Sequence, residues 1–255
     1  METSKLYKYL DYTGGLMMLQ YSNLQFTHAS QLNDPFDSNP ALIDFSNVPK
    51  EACNGWSPDI IEELKREPFR RTHEEAWICS LSKVYDSILM WSYYNKHKGI
   101  CIGLNMDKTQ KYLSKMLGSV MIGCEEVEVQ YEDIVKKPDY FRDAKDFFHY
   151  QLSTKSKAWE HEQEIRQIIL DPYPTYMNLM SGQTDENGPI AWKEMRAYLK
   201  LGGECFESVY LGFSMDNEER DKIIKVAQEL NPDINIYQMD INPNALSLDA
   251  NQINK

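Results

Sequence analysis

The sequence predicts a single α+β domain with a central mixed or split β-sheet flanked by helices. Its longest apolar runs, such as residues 100–104 and 209–213, have the length of strands. Stretches with a helical spacing of apolar residues lie between such runs. Hydrophobic residues make up 42% and charged residues 26% of the 255-residue chain, as in ordinary globular proteins. Because no repeat or linker divides the sequence, we expect one domain over residues 1–255.

The beginning of the chain predicts a strand, a helix, a second strand and a loop. Residues 6–9 alternate as a short strand does, residues 16–20 have helical character, and residues 24–27 are again strand-like. In the segment 33–37, Pro35 lacks a backbone donor and favours extended geometry at the residue before it. This segment is therefore predicted to be a loop with a fixed shape.

The middle of the chain predicts the centre of the sheet. Residues 77–82 and 99–104 are typical of buried strands, and the short segment between them, which carries residues 88–91, has helical character. Before these strands, residues 58–75 have the spacing of an amphipathic helix. We expect Pro68 to break that helix.

The second half continues the alternation of helices and strands. The predicted helices cover residues 107–117, 140–158 and 191–201, and the predicted strands cover 127–131, 164–170, 209–211 and 234–237. Asp216, with Glu219 three residues later, marks the start of a further helix that includes residues 223–230. Residues 175–188 are predicted to form a surface loop.

Composition excludes several classes of protein. No apolar run approaches the roughly 20 residues that a membrane span requires, and the N-terminus lacks the pattern of a secretory signal, so we expect a cytoplasmic protein without membrane contact. The five cysteines contain no Cys-x-x-Cys pair and are expected to be reduced. A net charge of -12 argues against a general affinity for nucleic acid, although a local basic patch is compatible with it.

The predicted loop at residues 33–37 is the first candidate for chemistry. Asn33, Asp34 and Asp37 place one amide and two carboxylates around the rigid Pro35. Asn and Asp also commonly bond to their own backbone in turns, so a purely structural corner is the alternative interpretation.

A second cluster combines hydroxyl, aromatic and imidazole groups. Ser80 and Ser82 lie on a predicted strand, and Trp91, Tyr93 and His97 follow on the helical segment and its end. Aromatic rings offer flat surfaces for stacking on a base or on nicotinamide, and their polar edges form hydrogen bonds. At this spacing aromatic residues are also common in a protein core. Both interpretations stay open.

The third cluster is the most distinctive. If residues 160–166 are extended, Glu160, Glu162, Glu164 and Arg166 share one face, whereas in a helix only pairs such as Glu160 with Glu164 align. Adjacent carboxylates repel each other unless a cation offsets them. The alternative is a solvated, charged helix end. Glu164→Gln is expected to destabilise the fold if Glu164 is buried against Arg166, and to leave it intact if Glu164 only faces a ligand.

Several well-known sites have no support in the sequence. His161-x-Glu is not the spacing of a zinc helix, and no other histidine has a partner at metal-ligand spacing. Glycine-rich dinucleotide-binding motifs, phosphate-binding loops and nucleophile elbows are also absent from the sequence. No metal site is predicted from these motifs.

Taken together, the motifs resemble domain-of-unknown-function family 2971. The resemblance covers residues from about 6 to about 238 and follows one order along the chain. Its parts are residues 6–9, 24–27, 33–37, 90–93 and 97–99, the pattern Trp159-x-x-Glu162-x-Glu164-x-Arg166, and residues 209–212. Membership in that family implies no particular activity.

A weaker resemblance is to the ADP-ribosyltransferase fold, and particularly to transferases that modify nucleic-acid bases. Tyr7-Lys8 on the first strand, the helix and strand that follow, and Glu162-x-Glu164 at a strand start match the order of that fold. The chain departs from it at Lys8, where His or Arg would bind the nicotinamide ribose. The resemblance implies NAD as a substrate, a nucleic acid or protein as acceptor, and a role as a toxin or in phage defence.

The same resemblance implies roles for individual residues. A glutamate would stabilise the positive charge that develops on the ribose as nicotinamide leaves. The implied assignments are Glu164 or Glu162 as the catalytic carboxylate, Lys8 and Ser82 on the ribose and the nicotinamide amide, Trp91 or Tyr93 as the stacking ring, Arg166 on a pyrophosphate or on the glutamates, and Asn33 and Asp37 as the cleft wall.

Two other functions are compatible with the sequence. A metal-dependent nuclease or phosphohydrolase would gather Mg²⁺ with Asp34, Asp37, Glu162 and Glu164, and Lys157 would supply a cation. A noncatalytic binding or toxin-neutralising module would use the same residues as a ligand pocket or as a structural polar network.

Overall fold

The structure is a computed structural model of the chain. It describes residues 4–49, 57–118, 122–143, 147–171, 190–193 and 195–253. The predicted surface loop at residues 175–188 and Cys53 lie outside the described residues.

The described part of the chain alternates strands and helices up to residue 118 and consists mainly of strands after it. The strands are β1 (Lys5–Leu10), β2 (Asn23–His28), β3 (Ala76–Ser82), β4 (Ile100–Asn105), β5 (Cys124–Glu128), β6 (Gln130–Glu132), β7 (Thr154–Ser156), β8 (Glu164–Leu170), β9 (Ile190–Lys193), β10 (Arg196–Lys200), β11 (Phe206–Leu211), β12 (Asn235–Ile241) and β13 (Leu248–Gln252). The α-helices are α1 (Tyr12–Tyr21), α2 (Pro58–His73), α3 (Ile88–Asn95), α4 (Met106–Gly118), α5 (Phe147–Ser153) and α6 (Asn217–Leu230).

One large mixed sheet organises the fold. Its strands follow the order β13-β12-β11-β4-β1-β3-β2-β10-β9, with β8 along β3 and β5 beyond β8. The β11–β12 pair is parallel, whereas the other pairs of this sheet are antiparallel. This arrangement confirms the predicted α+β class and the predicted mixed sheet, and β3 and β4 lie on either side of β1 near its centre.

Helices cover both faces of the sheet. On one face, α1, α4 and α6 bury residues such as Leu19, Leu113 and Ile223 against alternate strand residues in the largest core cluster. On the other face, Trp91 of α3 packs with Tyr9 of β1 in a smaller cluster. The caps fit the sequence: Asp11 accepts a hydrogen bond at the start of α1, and Asp216 does so at the start of α6, as predicted.

The sheet forks at β3. Along one edge, β3 pairs with β8 over its whole length. On the other edge, β2 pairs with Trp77 and Ile78, and β1 pairs only at Ser82, opposite Tyr7. In the described part of the chain, residues 79–81 therefore have no strand partner on that edge, where β1 and β2 diverge. We call this place the fork.

Three predictions of secondary structure were wrong. The predicted helix at 191–201 is the hairpin β9–β10, because residues 196–200 alternate between exposed and buried positions and pair with β2. In the described part of the predicted helix at 140–158, α5 is followed by β7, and a 3-10 helix begins at Lys157. Helix α2 continues through Pro68, where we expected a break.

Two expectations from composition can be compared with the described residues. No helix in the described ranges is long and apolar enough to cross a membrane. Cys79, Cys101, Cys124 and Cys205 are free thiols, as predicted.

Candidate functional site

A cavity of about 340 Å³ lies at the fork. Strands β1, β2, β3, β7 and β8, helix α3 and the loop before residue 38 contribute to its wall. Eight of the residues predicted from the sequence to form a site line it: Tyr7, Lys8, Asn33, Asp37, Ser82, Glu162, Glu164 and Arg166. Residues that lie up to 159 positions apart in the sequence thus meet in one place.

The end of a short helix places both predicted catalytic glutamates at the cavity. A 3-10 helix covers Lys157–Glu162, Gln163 then adopts a left-handed conformation with φ of 44°, and β8 begins at Glu164. The phenol oxygen of Tyr131 accepts a hydrogen bond from the backbone N–H of Glu164 at 2.8 Å. Ser82 donates from its hydroxyl to the carbonyl oxygen of Glu162 at 2.7 Å. The backbone of this turn is therefore fixed from two sides.

Five charged side chains form a buried network at the base of the cavity. The members are Asp37, Lys155, Glu162, Glu164 and Arg166, and each is at most 6% exposed. Arg166 donates to Glu164 through Nε at 2.9 Å and to Asp37 through Nη2 at 2.8 Å. Lys155 Nζ lies 2.6 Å from Glu162 Oε2 and 3.2 Å from Glu164 Oε2. Each cation thus joins two carboxylates, so the five groups form one unit.

The electrostatics of the network fix the charge of Glu164. Burial opposes ionisation of this carboxyl, but the positive charges of Arg166 and Lys155 outweigh burial and lower its pKa to about 2. Burial also disfavours the ammonium of Lys155, yet Glu164 and Glu162 together raise its pKa above the ordinary value. Glu164 is therefore an anion at neutral pH, because Arg166 and Lys155 offset the repulsion between neighbouring carboxylates.

Glu162 has a different set of neighbours. Its Oε1 accepts a hydrogen bond from the phenol of Tyr94, which also lines the cavity, and its Oε2 faces Lys155. Burial, followed by the charge of Glu162, raises the pKa of Tyr94, so the phenol stays a donor. Glu162 has one cation beside it where Glu164 has two.

Lys8 occupies the fork itself. It lies on β1, and its Nζ donates to the backbone oxygen of Ser80 on β3 at 2.8 Å. Ser80 has no strand partner on this edge of β3 in the described residues, so Lys8 satisfies its backbone carbonyl oxygen. Lys8 forms no ion pair with a carboxylate in the described part of the chain, so its charge is available to a ligand.

Two other predicted site residues do not line the cavity, and both are buried. Trp91 is fully buried in the core, and its Nε1 donates to the backbone oxygen of Tyr85 at 2.8 Å. Asp34 is also buried, and its Oδ1 accepts from the backbone N–H of Phe36 at 2.9 Å, which is the turn role considered from the sequence. Trp91 is thus a core residue and is not accessible for stacking.

Tyr93 and His97 also lie outside the cavity. Tyr93 is 69% exposed, and its ring lies beside that of His161 with a centroid distance of 5.8 Å. His97 contacts Ser92 through Nε2 at 2.8 Å and packs against Phe213. Tyr93 thus lies at the surface, and the imidazole of His97 binds Ser92 at the end of α3.

Sequence reasoning missed Lys155 and Tyr94. The cation assigned to the carboxylates from the sequence was Lys157, but its Nζ lies 3.8 Å from Asp133 at the surface. Lys155 instead points inward from β7, with its Nζ also 4.8 Å from the centre of the Trp159 ring. Residues 154–156 are Thr-Lys-Ser, without an apolar alternation that could show which lysine is buried.

Comparisons of the chain with protein-family models, with curated proteins and with solved structures found no match. The fork and its charge network are therefore interpreted from their own chemistry.

Proposed function

We propose that the protein binds NAD at the fork and cleaves the bond between nicotinamide and ribose, as an ADP-ribosyltransferase or NAD-cleaving enzyme. The observation that carries this proposal is the meeting of Lys8, Ser82 and the pair Glu162 and Glu164 around one cavity. The volume of about 340 Å³ lies in the lower part of the range of small-molecule sites, roughly 300–1,000 Å³. Membership in family 2971 and a nucleic acid or protein acceptor belong to the same proposal and stay predictions.

Within this proposal, Glu162 is the carboxylate that acts on the ribose. Glu164 is held by two cations through both of its oxygens, which leaves it little capacity to accept further hydrogen bonds. Glu162 is bound by one cation and by the phenol of Tyr94. We therefore assign Glu164 to positioning, because it fixes Lys155, which in turn fixes Glu162.

The proposed step is a substitution at ribose C1′. The C1′–N bond of NAD breaks, and its electron pair goes to the ring nitrogen, so nicotinamide leaves as a neutral molecule. Positive charge then develops on C1′ and the ring oxygen, and the Glu162 carboxylate stabilises it. An oxygen or nitrogen nucleophile of the acceptor, or water, forms the new bond to C1′ and releases its proton to solvent. Lys8 is placed to bind a phosphate of the same ligand.

Release of nicotinamide from NAD by the purified full-length protein tests this proposal. We expect Glu162→Gln to lower the rate at least roughly 100-fold, because a group that stabilises charge only in the transition state affects kcat. Glu160→Gln is the matched control, since Glu160 lies in the same 3-10 helix but is exposed. Melting temperatures of both variants establish that they are folded. Absence of both NAD binding and nicotinamide release in the wild type would refute the proposal.

The geometry gives less support to the metal-dependent hydrolase. Lys155 and Arg166 lie between Asp37, Glu162 and Glu164, so a Mg²⁺ ion would have to displace a buried cation. In the described residues, no group of three or more His, Cys, Asp or Glu side chains is arranged to hold a metal ion. A chelator arm in the same assay tests this point, and activity that survives the chelator would support the transferase.

One observation favours a binding module as the second candidate. The charged groups of the network bind mainly to one another, as in a preorganised polar pocket that holds a ligand without turnover. A module of this kind would be stabilised against heat by NAD while no nicotinamide appears. The thermal-shift arm of the assay therefore separates binding from cleavage.

A further inference from the structure

The buried network contains more negative than positive charge. Asp37, Glu162 and Glu164 contribute three carboxylates, and Lys155 and Arg166 contribute two cations. Within these five buried side chains, one negative charge is therefore in excess, and Lys8, which lines the same cavity, forms no ion pair with them in the described structure. A buried charge without an ion-pair partner is costly, so a proton on the network or a cation that enters the cavity would stabilise it.

Asp37 is where the excess is located. Its Oδ1 accepts from Arg166, but its Oδ2 is buried without a hydrogen-bond partner in the described structure. Burial raises the pKa of Asp37 even though Arg166 and Lys155 oppose that change. Arg166 and Glu164 on β8 and Lys155 on β7 are the charged groups that act on it. Two further charged groups, Glu162 and Lys8, line the same cavity.

We infer that the carboxylate end of the cavity takes a positively charged group of its ligand, in the form of a flat, delocalised cation. Such a group restores charge balance to the network. Two tyrosines, Tyr7 and Tyr94, line the same cavity, and aromatic rings attract cations through their faces. The cation of Lys8 lies at the fork, where its Nζ donates to the backbone oxygen of Ser80. The inference rests on the site of the proposed function but does not require that the ligand be cleaved.

A matched pair of probes tests the inference. The cation 1-methylnicotinamide and the neutral 3-methylbenzamide share one outline of ring, carboxamide and methyl group, and neither has a glycosidic bond. We expect the full-length protein to bind the cation at least roughly tenfold more tightly than the neutral compound, measured by titration calorimetry or by ligand-observed NMR. Equal affinities, or tighter binding of the neutral compound, would overturn the inference without any variant.

Variants locate the preference in the network. Asp37→Asn and Glu162→Gln each remove the excess charge, so the ratio of the two affinities should fall to within about twofold of one. Glu160→Gln removes a charge of the same sign from the exposed face of the neighbouring helix, and it should keep the wild-type ratio. A wild-type ratio in both network variants would mean that the network does not select the cation, and would also overturn the inference.

The probe experiment and the NAD-cleavage assay can give different results, so the inference and the proposed function can fail independently. If the cation is preferred and NAD is not cleaved, the reaction is wrong and the ligand class stands. If NAD is cleaved and the two probes bind equally, the reaction stands and the inference fails.

Discussion

The two edges of β1 differ in how they are held. On one edge, β1 pairs with β4 at six consecutive positions, from Lys5 opposite Asn105 to Leu10 opposite Ile100. On the other edge it pairs with β3 at one position, Tyr7 opposite Ser82. We call these the closed edge and the open edge. Backbone hydrogen bonds secure the closed edge, and side-chain charges and hydroxyls secure the open edge.

The difference explains where the candidate site lies. A continuous ladder leaves no room for a ligand, because every backbone group has a partner and neighbouring strands lie about 4.8 Å apart. Where the ladder stops, the backbone of β3 needs other partners, and Lys8 supplies one of them. The open edge therefore concentrates polar groups that depend on one another. Substitutions at the open edge should alter stability mainly through charge, and substitutions at the closed edge mainly through steric fit.

The largest effect is expected from Arg166→Met at the open edge. The substitution removes a cation that Glu164 and Asp37 share and leaves both carboxylates buried without it. We expect a loss of about 3–5 kcal/mol in the free energy of unfolding, measured by urea denaturation. Arg142→Met is the control, because Arg142 is 71% exposed beside Asp139 and should change stability by less than about 0.5 kcal/mol. If Arg166→Met lowers the free energy of unfolding by less than about 1 kcal/mol, charged side chains do not secure the open edge.

The second effect is a loss of stability in acid. The pKa of Glu164 in the folded protein, about 2, lies below the ordinary value of 4.5. The ionised Glu164 therefore contributes about 3 kcal/mol to the free energy of unfolding. This contribution is complete above pH 4.5 and is lost as the pH falls toward 2. Unfolding free energies of the wild type and Glu164→Gln across this range should converge as the pH falls. If the difference between them stays constant with pH, Glu164 is not held as an anion by its neighbours.

Much of the framework could be predicted from the sequence, because its signals are local. Alternation predicted β1, the strand character of residues 164–170 predicted β8, and the Asp216 cap predicted the start of α6. The hairpin β9–β10 was missed because its short apolar alternation also fits a helix. Tertiary pairing with β2 decides between them.

Only part of the candidate site could be predicted from the sequence: several of its residues, but not the contacts between them. Glu162, Glu164 and Arg166 are close in sequence, so their pattern was visible, whereas Lys155 and Tyr94 reach the same carboxylates from other elements. Only the fold decides which lysine is buried. The excess of one carboxylate in the buried network depends on which lysine is buried, so this excess could not be predicted either.

The third effect tests steric fit at the closed edge. A Cβ at Gly99, next to the start of β4, would overlap the backbone oxygen of Leu10 and lie 2.7 Å from Cβ of Asn95. Because backbone cannot move aside cheaply, Gly99→Ala should cost about 1–3 kcal/mol, independent of pH between 5 and 8. Gly118→Ala is the control, since a Cβ there meets nothing within 4 Å. Equal melting temperatures for the two variants would contradict the tight packing of this edge.

The smallest effect is expected from Asp37→Asn, which changes the other end of the 2.8 Å contact with Arg166. A carboxyl whose pKa is raised in the folded protein weakens folding as the pH rises from its ordinary value through the raised one, so a neutral side chain removes that penalty. Arg166 keeps Glu164 as a partner, and the network becomes balanced. We expect a change within about 1 kcal/mol at pH 7, measured by urea denaturation beside Arg166→Met. Comparable losses in the two variants would mean that the contact is an ordinary ion pair. A large loss in Arg166→Met alone would support an excess of one carboxylate within the buried network, which is the property that a cationic ligand would use.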